Sequence, residues 1–145
     1  MKILVSACLL GEPCRYDGES RPCAHIIKLK ERHTLIPVCP EVLGGLPTPR
    51  PASEIQADGS VKNCVGADVT KEYRRGAEAA LAIAREQGAK VAILKEKSPA
   101  CGKGRVYDGS FTRTLCEGNG VCAELLLQNG IRVLGESETD AIDRL

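Results

Sequence analysis

The sequence predicts an α/β fold built on a mainly parallel sheet, and two observations point there. Four short, β-rich apolar runs are spread along the chain: KILVSA (2–7), HTLIPV (33–38), KVAILK (90–95) and IRVLGE (131–136). The first three are each followed by a loop and then a helical pattern, which is the order of a βαβ crossover.

The first run leads into PCAHIIKLKER, expected to be helical. The second leads, after a long connection, into TKEYRRGAEAALAIAREQG, where Tyr73, Ala77, Ala80, Leu81 and Ala84 share one face at helical spacing and Gly88 supplies the C-terminal cap. The third leads into TLCEGNGVCAELLLQNG, closed by Asn129-Gly130. Crossovers of this kind cover both faces of a parallel sheet. The expectation is therefore a single three-layer, Rossmann-like domain over residues 1–145 with a short, mainly parallel four-stranded sheet. The connection from Cys39 to Asp68 carries Pro40, Pro47, Pro49 and Pro51. It is too long for an ordinary strand-to-helix loop and reads as a binding segment, with a small hairpin around GSVKN.

Composition removes several classes of function. Apolar residues make up 43% of the 145 and charged residues 27%, as in ordinary soluble proteins. No stretch approaches the ~20 apolar residues of a membrane span. A net charge of +1, 3% aromatics and no Trp leave neither a basic field nor many stacking surfaces, which disfavours nucleic acid as a partner. No GxGxxG follows the first run, which disfavours a dinucleotide cofactor. In MKILVSAC the apolar part, Ile3 to Val5, is far shorter than the roughly 7–15 residues of an export signal, so the expected location is the cytoplasm. In that reducing compartment eight cysteines point to metal or catalysis rather than disulfides. No CxxC pair is present, so a metal site has to be assembled by the fold.

Ligands of open parallel sheets bind beyond the carboxyl ends of the strands, where strand order reverses. Cys8, Cys39 and Cys101 each follow such an end, so residues far apart in sequence are expected to converge. Three thiolates can hold zinc with one open position, or an iron-sulfur cubane with one iron lacking a protein ligand. Gly11, Gly44, Gly45 and Gly102 flank these cysteines and could let backbone approach a bulky inorganic group and offer their N-H groups to its sulfur atoms, or simply form turns. Glu41, two residues after Cys39, is placed to act as a general acid or base, and Ser98, three before Cys101, to donate a hydrogen bond or to start the turn before Pro99. Cys14, Cys23, Cys64, Cys116 and Cys122 lack strand-end placement and read as packing or spare thiols. Arg50 and Glu54 could clamp an anion or pair across their loop. Asp17 and Asp108, in two matching Tyr-Asp-Gly turns, are expected to bind backbone, and His25 and His33 to lie at the surface.

The blocks SACLLGEPCRYDG, CPEVLGGLPTPRP and LKEKSPACG, in that order, resemble the small bacterial family that includes thiouracil desulfidase. The resemblance runs from Lys2 to about Leu134. It implies a 4Fe-4S cluster held by Cys8, Cys39 and Cys101, a thiolated pyrimidine whose sulfur meets the fourth iron, and Glu41 and Ser98 as the catalytic residues. Ala100 stands where many relatives are expected to carry Ser. The implied reaction is non-redox removal of sulfur from thiouracil, giving uracil and hydrogen sulfide. Two other readings stay open on the sequence: desulfidation of thiouridine in a nucleotide or tRNA, and a metal-binding module without catalysis, in which Cys14 closes the site.

Overall fold

The computed structural model describes residues 1–145. Four parallel strands form the central sheet: β1 (Lys2–Ser6), β2 (Thr34–Val38), β5 (Val91–Leu94) and β8 (Arg132–Gly135), in the spatial order β2-β1-β5-β8. Register is in phase, with Ile3 opposite Leu35 and Val91, and Ala92 opposite Val133. The chain leaves β1 in one direction to β2 and returns to the other side for β5. The reversal of strand order therefore lies between β1 and β5.

Alternation along the strands divides the core in two. Leu4, Ala92, Leu94 and Val133 face the long helix α3 (Thr70–Gln87) and helix α4 (Val121–Gln128), meeting Tyr73, Ala77, Ala80, Ala84, Ala123 and Leu126. Ile3, Val5, Val91, Ile93 and Leu134 face the other layer. That layer consists of a 3-10 turn (Ala7–Leu10), the short helix α1 (Ala24–Ile27) with its 3-10 extension (Lys28–Glu31), and α5 (Thr139–Asp143). The expected α3 face is the buried one, and Gly88 ends the helix at φ +73°. No helix is long and apolar enough to cross a membrane.

Two small antiparallel hairpins lie outside the sheet. Strand β3 (Ser53–Ile55) pairs with β4 (Val61–Asn63), the hairpin expected around GSVKN. Strand β6 (Arg105–Tyr107) pairs with β7 (Leu115–Glu117), where a helix was expected to begin. The helical pattern fails there because Gly118 has φ +156° and Gly120 lies against Ala100, so α4 starts only at Val121. The expected first helix is also shorter, because it tightens into 3-10 geometry after Ile27.

The Cys39 to Asp68 connection contains a further short helix, α2 (Pro40–Leu43), absent from the sequence reading. It rests on α3 backbone to backbone. A Cβ added to Gly76 would lie 1.8 Å from the Pro40 carbonyl oxygen, and one added to Gly44 would lie 1.9 Å from that of Glu72. Neither clash can be relieved by turning a side chain. Gly76→Ala is therefore expected to destabilise the fold by about 1–3 kcal/mol or more, seen as a lower midpoint in urea unfolding. An unchanged midpoint would show that the two helices separate freely.

Candidate active site

A cleft of about 500 Å³ opens at the carboxyl ends of β1, β2 and β5, over the strand-order reversal. The volume lies within the roughly 300–1,000 Å³ usual for small-molecule sites. Cys8, Cys39, Cys101, Glu41 and Ser98 all line it. The five arrive from three local structures. Cys8 sits in the 3-10 turn that caps β1, Cys39 and Glu41 at the start of α2, and Ser98 and Cys101 in the turn after β5.

Glu41 is held by one side of its carboxylate. Arg50 Nη2 lies 3.5 Å from Oε2, and the Tyr73 hydroxyl donates to the same oxygen at 3.4 Å. Oε1 instead faces the Cys39 thiol at 3.9 Å. The Arg50 side chain is 4% exposed and also donates to the carbonyls of Pro47 (3.2 Å) and Cys14 (3.0 Å) and to Thr48 Oγ1 (3.1 Å). One guanidinium thus ties two loops, its own Pro-rich segment and the one that carries Cys14, to one carboxylate. Burial first, and then the Glu41 charge, hold the Tyr73 hydroxyl well above its ordinary pKa, so it remains a proton donor to Glu41. In the sequence Tyr73 reads only as core and Arg50 only beside Glu54; the pairing with Glu41 depends on α3 and the Pro-rich loop meeting in space.

Ser98 does start the turn, because its Oγ accepts hydrogen bonds from the backbone of Ala100 (3.1 Å) and Cys101 (3.0 Å). With both acceptor positions used, the hydroxyl has only its proton to offer the cleft. Ser6 is a further member missed in the sequence. Its buried Oγ accepts from the Lys95 backbone at 2.9 Å, fastening β1 to the chain just beyond β5.

Cys101, Cys39 and Cys14 hold their protons tightly. Burial, then the charges of Cys122 and Glu41, push Cys101 well above the usual thiol range. Cys39 is raised by its hydrogen bond with Cys14, by burial and by Glu41. Cys14 reaches about 11: the bond with Cys39 lowers it, but the bond with Cys8 and burial together outweigh that. Such thiols become thiolates only when a cationic centre replaces the protons. Arg50 cannot serve, being committed to Glu41. No three His, Cys, Asp or Glu side chains converge as a single metal ion needs. Soft sulfur donors spread around one cleft fit a polynuclear group, in which different protein sulfurs bind different irons.

Several expectations are corrected. Cys14 belongs to the cleft wall, and its backbone carbonyl accepts from the Cys39 thiol at 3.7 Å. The flanking glycines do not offer N-H groups to an inorganic sulfur. Those of Gly11, Gly44, Gly45 and Gly102 already bond the carbonyls of Cys8, Pro40, Val42 and Ser98. Their smallness serves tight turns and the contact of α2 with α3. Glu54 does not pair with Arg50; its Oε1 accepts from the backbone of Gly109 and Phe111. Asp17 and Asp108 bind backbone as expected, at 3.0 Å from Glu19 N and 2.9 Å from Ser110 N. His25 Nε2 lies 2.9 Å from Asp143 Oδ1, and His33 meets the amino terminus.

The family model described as 2-thiouracil desulfurase matches residues 3–138. The Bacillus subtilis (strain 168) protein YbbK, described as uncharacterized, is 42% identical over 149 residues that cover 97% of this chain and 99% of YbbK. A solved structure of TudS, a 4Fe-4S-dependent thiouracil desulfidase, is similar with a TM-score of 0.88 at 44% identity, over 99% of both chains. The match spans β1 through β8 and every cleft residue named above, and on that basis the chain belongs to the 2-thiouracil desulfurase family.

Proposed function

We propose that residues 1–145 form a thiouracil desulfidase that binds a 4Fe-4S cluster through Cys8, Cys39 and Cys101 and converts thiouracil and water to uracil and hydrogen sulfide. The observation that carries this reading is the meeting of three strand-end thiols with a clamped carboxylate in one cleft, in a chain 44% identical to a 4Fe-4S-dependent thiouracil desulfidase. When bound, such a cluster supplies one iron without a protein ligand, a thiophilic Lewis acid suited to a thiocarbonyl sulfur.

The protein's own groups supply the proton chemistry. Glu41 Oε1 takes a proton from the attacking water, while Arg50 and Tyr73 keep the carboxylate aimed by its other oxygen. The same carboxyl returns the proton toward the leaving sulfur side. Ser98 donates its remaining hydrogen to the pyrimidine and orients it. The balance needs no oxidant: water gives its oxygen to the ring carbon and both hydrogens leave with sulfur. Eight free thiols suit a reducing cytoplasm.

Protein purified without oxygen is expected to contain iron and acid-labile sulfide in equal amounts, about four of each per chain, and to release uracil and hydrogen sulfide from thiouracil. Zinc alone, or iron-loaded protein inert toward thiouracil, would refute the reading.

A second reading, a phosphorylated thiouridine as substrate, is favoured by the cations on the cleft wall. Arg15, Lys97 and Arg113 line it, and Arg15 Nε, 3.6 Å from Asp17, lacks a hydrogen-bond partner. Competition between thiouracil and the monophosphate at rising salt separates the two, because only the phosphate loses affinity steeply with screening.

A further inference from the structure

The chain has four aromatic residues, three Tyr and one Phe, and no Trp. All four, Tyr16, Tyr73, Tyr107 and Phe111, line the cleft. Aromatic side chains ordinarily dominate cores because of the apolar area they bury. Here the core on both sides of the sheet is aliphatic apart from Tyr73, whose hydroxyl serves Glu41. Phe111 differs from the three tyrosines in having no polar handle, and it is 38% exposed. More than a third of its surface is thus left facing solvent, where burial within its own chain contributes nothing.

Its backbone is also held at a cost. Phe111 has φ +59°, in the left-handed region that a bulky residue enters at about 1–2 kcal/mol. The surrounding structure maintains that conformation. Glu54, 7% exposed, is a buried carboxylate whose Oε1 accepts from Gly109 N at 3.0 Å and Phe111 N at 3.1 Å. Gln56 Nε2 reaches the Gly109 carbonyl at 3.4 Å. A Cβ on Gly109 would meet the Ile55 carbonyl oxygen at 2.9 Å, so the loop joining β6 to β7 lies directly on β3. Burying a charge is expensive unless its hydrogen bonds are made, and these are made to the tip that carries Phe111.

We infer that Phe111 is the stacking platform for the substrate's pyrimidine ring, and that Glu54 positions it by pinning the β6–β7 loop to β3. This rests on the proposed pyrimidine substrate. A planar heterocycle entering the cleft meets a fixed, uncharged ring face, which sets binding and orientation without joining the proton chemistry at Glu41.

The test uses the cluster-loaded enzyme and the variants Phe111→Leu, Phe111→Tyr, Phe111→Gly and Glu54→Gln. Phe111→Leu is expected to raise KM for thiouracil and weaken uracil binding, read by calorimetry, by roughly tenfold, with kcat changed less than about threefold. Phe111→Tyr keeps a ring and is expected to retain wild-type KM. Phe111→Gly removes the strain with the ring, so its Tm stays level or rises while uracil binding falls. Glu54→Gln moves KM in the same direction. Unaltered KM and uracil binding in Phe111→Leu, or a Phe111→Gly that loses stability and binding together, would overturn the inference. Uracil binding needs no turnover, so an enzyme inert toward thiouracil whose uracil binding still depends on Phe111 would sink desulfidation and spare the platform. Turnover indifferent to Phe111 does the reverse.

Discussion

Glu41→Gln, prepared without oxygen, is expected to keep its iron and sulfide and to lose about 10²–10⁴-fold in kcat toward thiouracil. The substitution preserves size, and the retained amide oxygen can still accept from Tyr73 and Arg50, so α2 and the Cys39 position beside it remain in place. What disappears is the ability to take a proton at Oε1. Thiouracil KM is expected to change little, because the carboxylate acts on water and not on the ring. Full kcat in an iron-replete Glu41→Gln protein would remove Glu41 from the chemistry. Loss of iron together with kcat would mean that the carboxylate supports the metal site instead.

Cys101→Ala gives the opposite signature: iron, sulfide and hydrogen sulfide release all vanish, while far-ultraviolet circular dichroism remains that of the native fold. Cys101 is buried in the turn held by Ser98, so no neighbouring thiol can move into the same place without dismantling that turn. Cys8 and Cys39 variants are expected to behave likewise. Cys23→Ala and Cys116→Ala serve as controls that retain metal and rate, since neither lines the cleft. Retention of the full complement of iron in Cys101→Ala would show that Cys14, which lines the same cleft and whose carbonyl meets the Cys39 thiol, is the third ligand.

The parallel sheet was legible because its strands are short apolar runs separated by helices, and α3 because its alanines repeat with helical spacing. Parallel strands order their ends, and that alone predicts that Cys8, Cys39 and Cys101 lie along one edge. What the sequence concealed depends on contacts between segments with no local pattern. Arg50 meets Glu41 because the Pro-rich loop folds back over α2. Tyr73 occupies a helical core position yet turns a hydroxyl to the cleft. The β6–β7 hairpin hid in a stretch whose Leu115 and Cys116 continue smoothly into the α4 pattern, and only the backbone at Gly118 and Gly120 separates them. Gly44 was read as making room for an inorganic group, whereas the room is taken by a neighbouring helix.

That contact of Gly44 with α3 has a bearing on how the protein can vary. Because peptide groups of α2 and α3 touch directly, the distance between them is set by main-chain atoms and not by the identity of side chains. Val42 and Leu43, which turn outward from α2, can therefore be exchanged for polar residues with no displacement of Cys39 or Glu41. The glycine pair acts as a fixed datum for the reactive edge, and the solvent face of α2 is left free to drift, or to be engineered, independently of the chemistry beneath it.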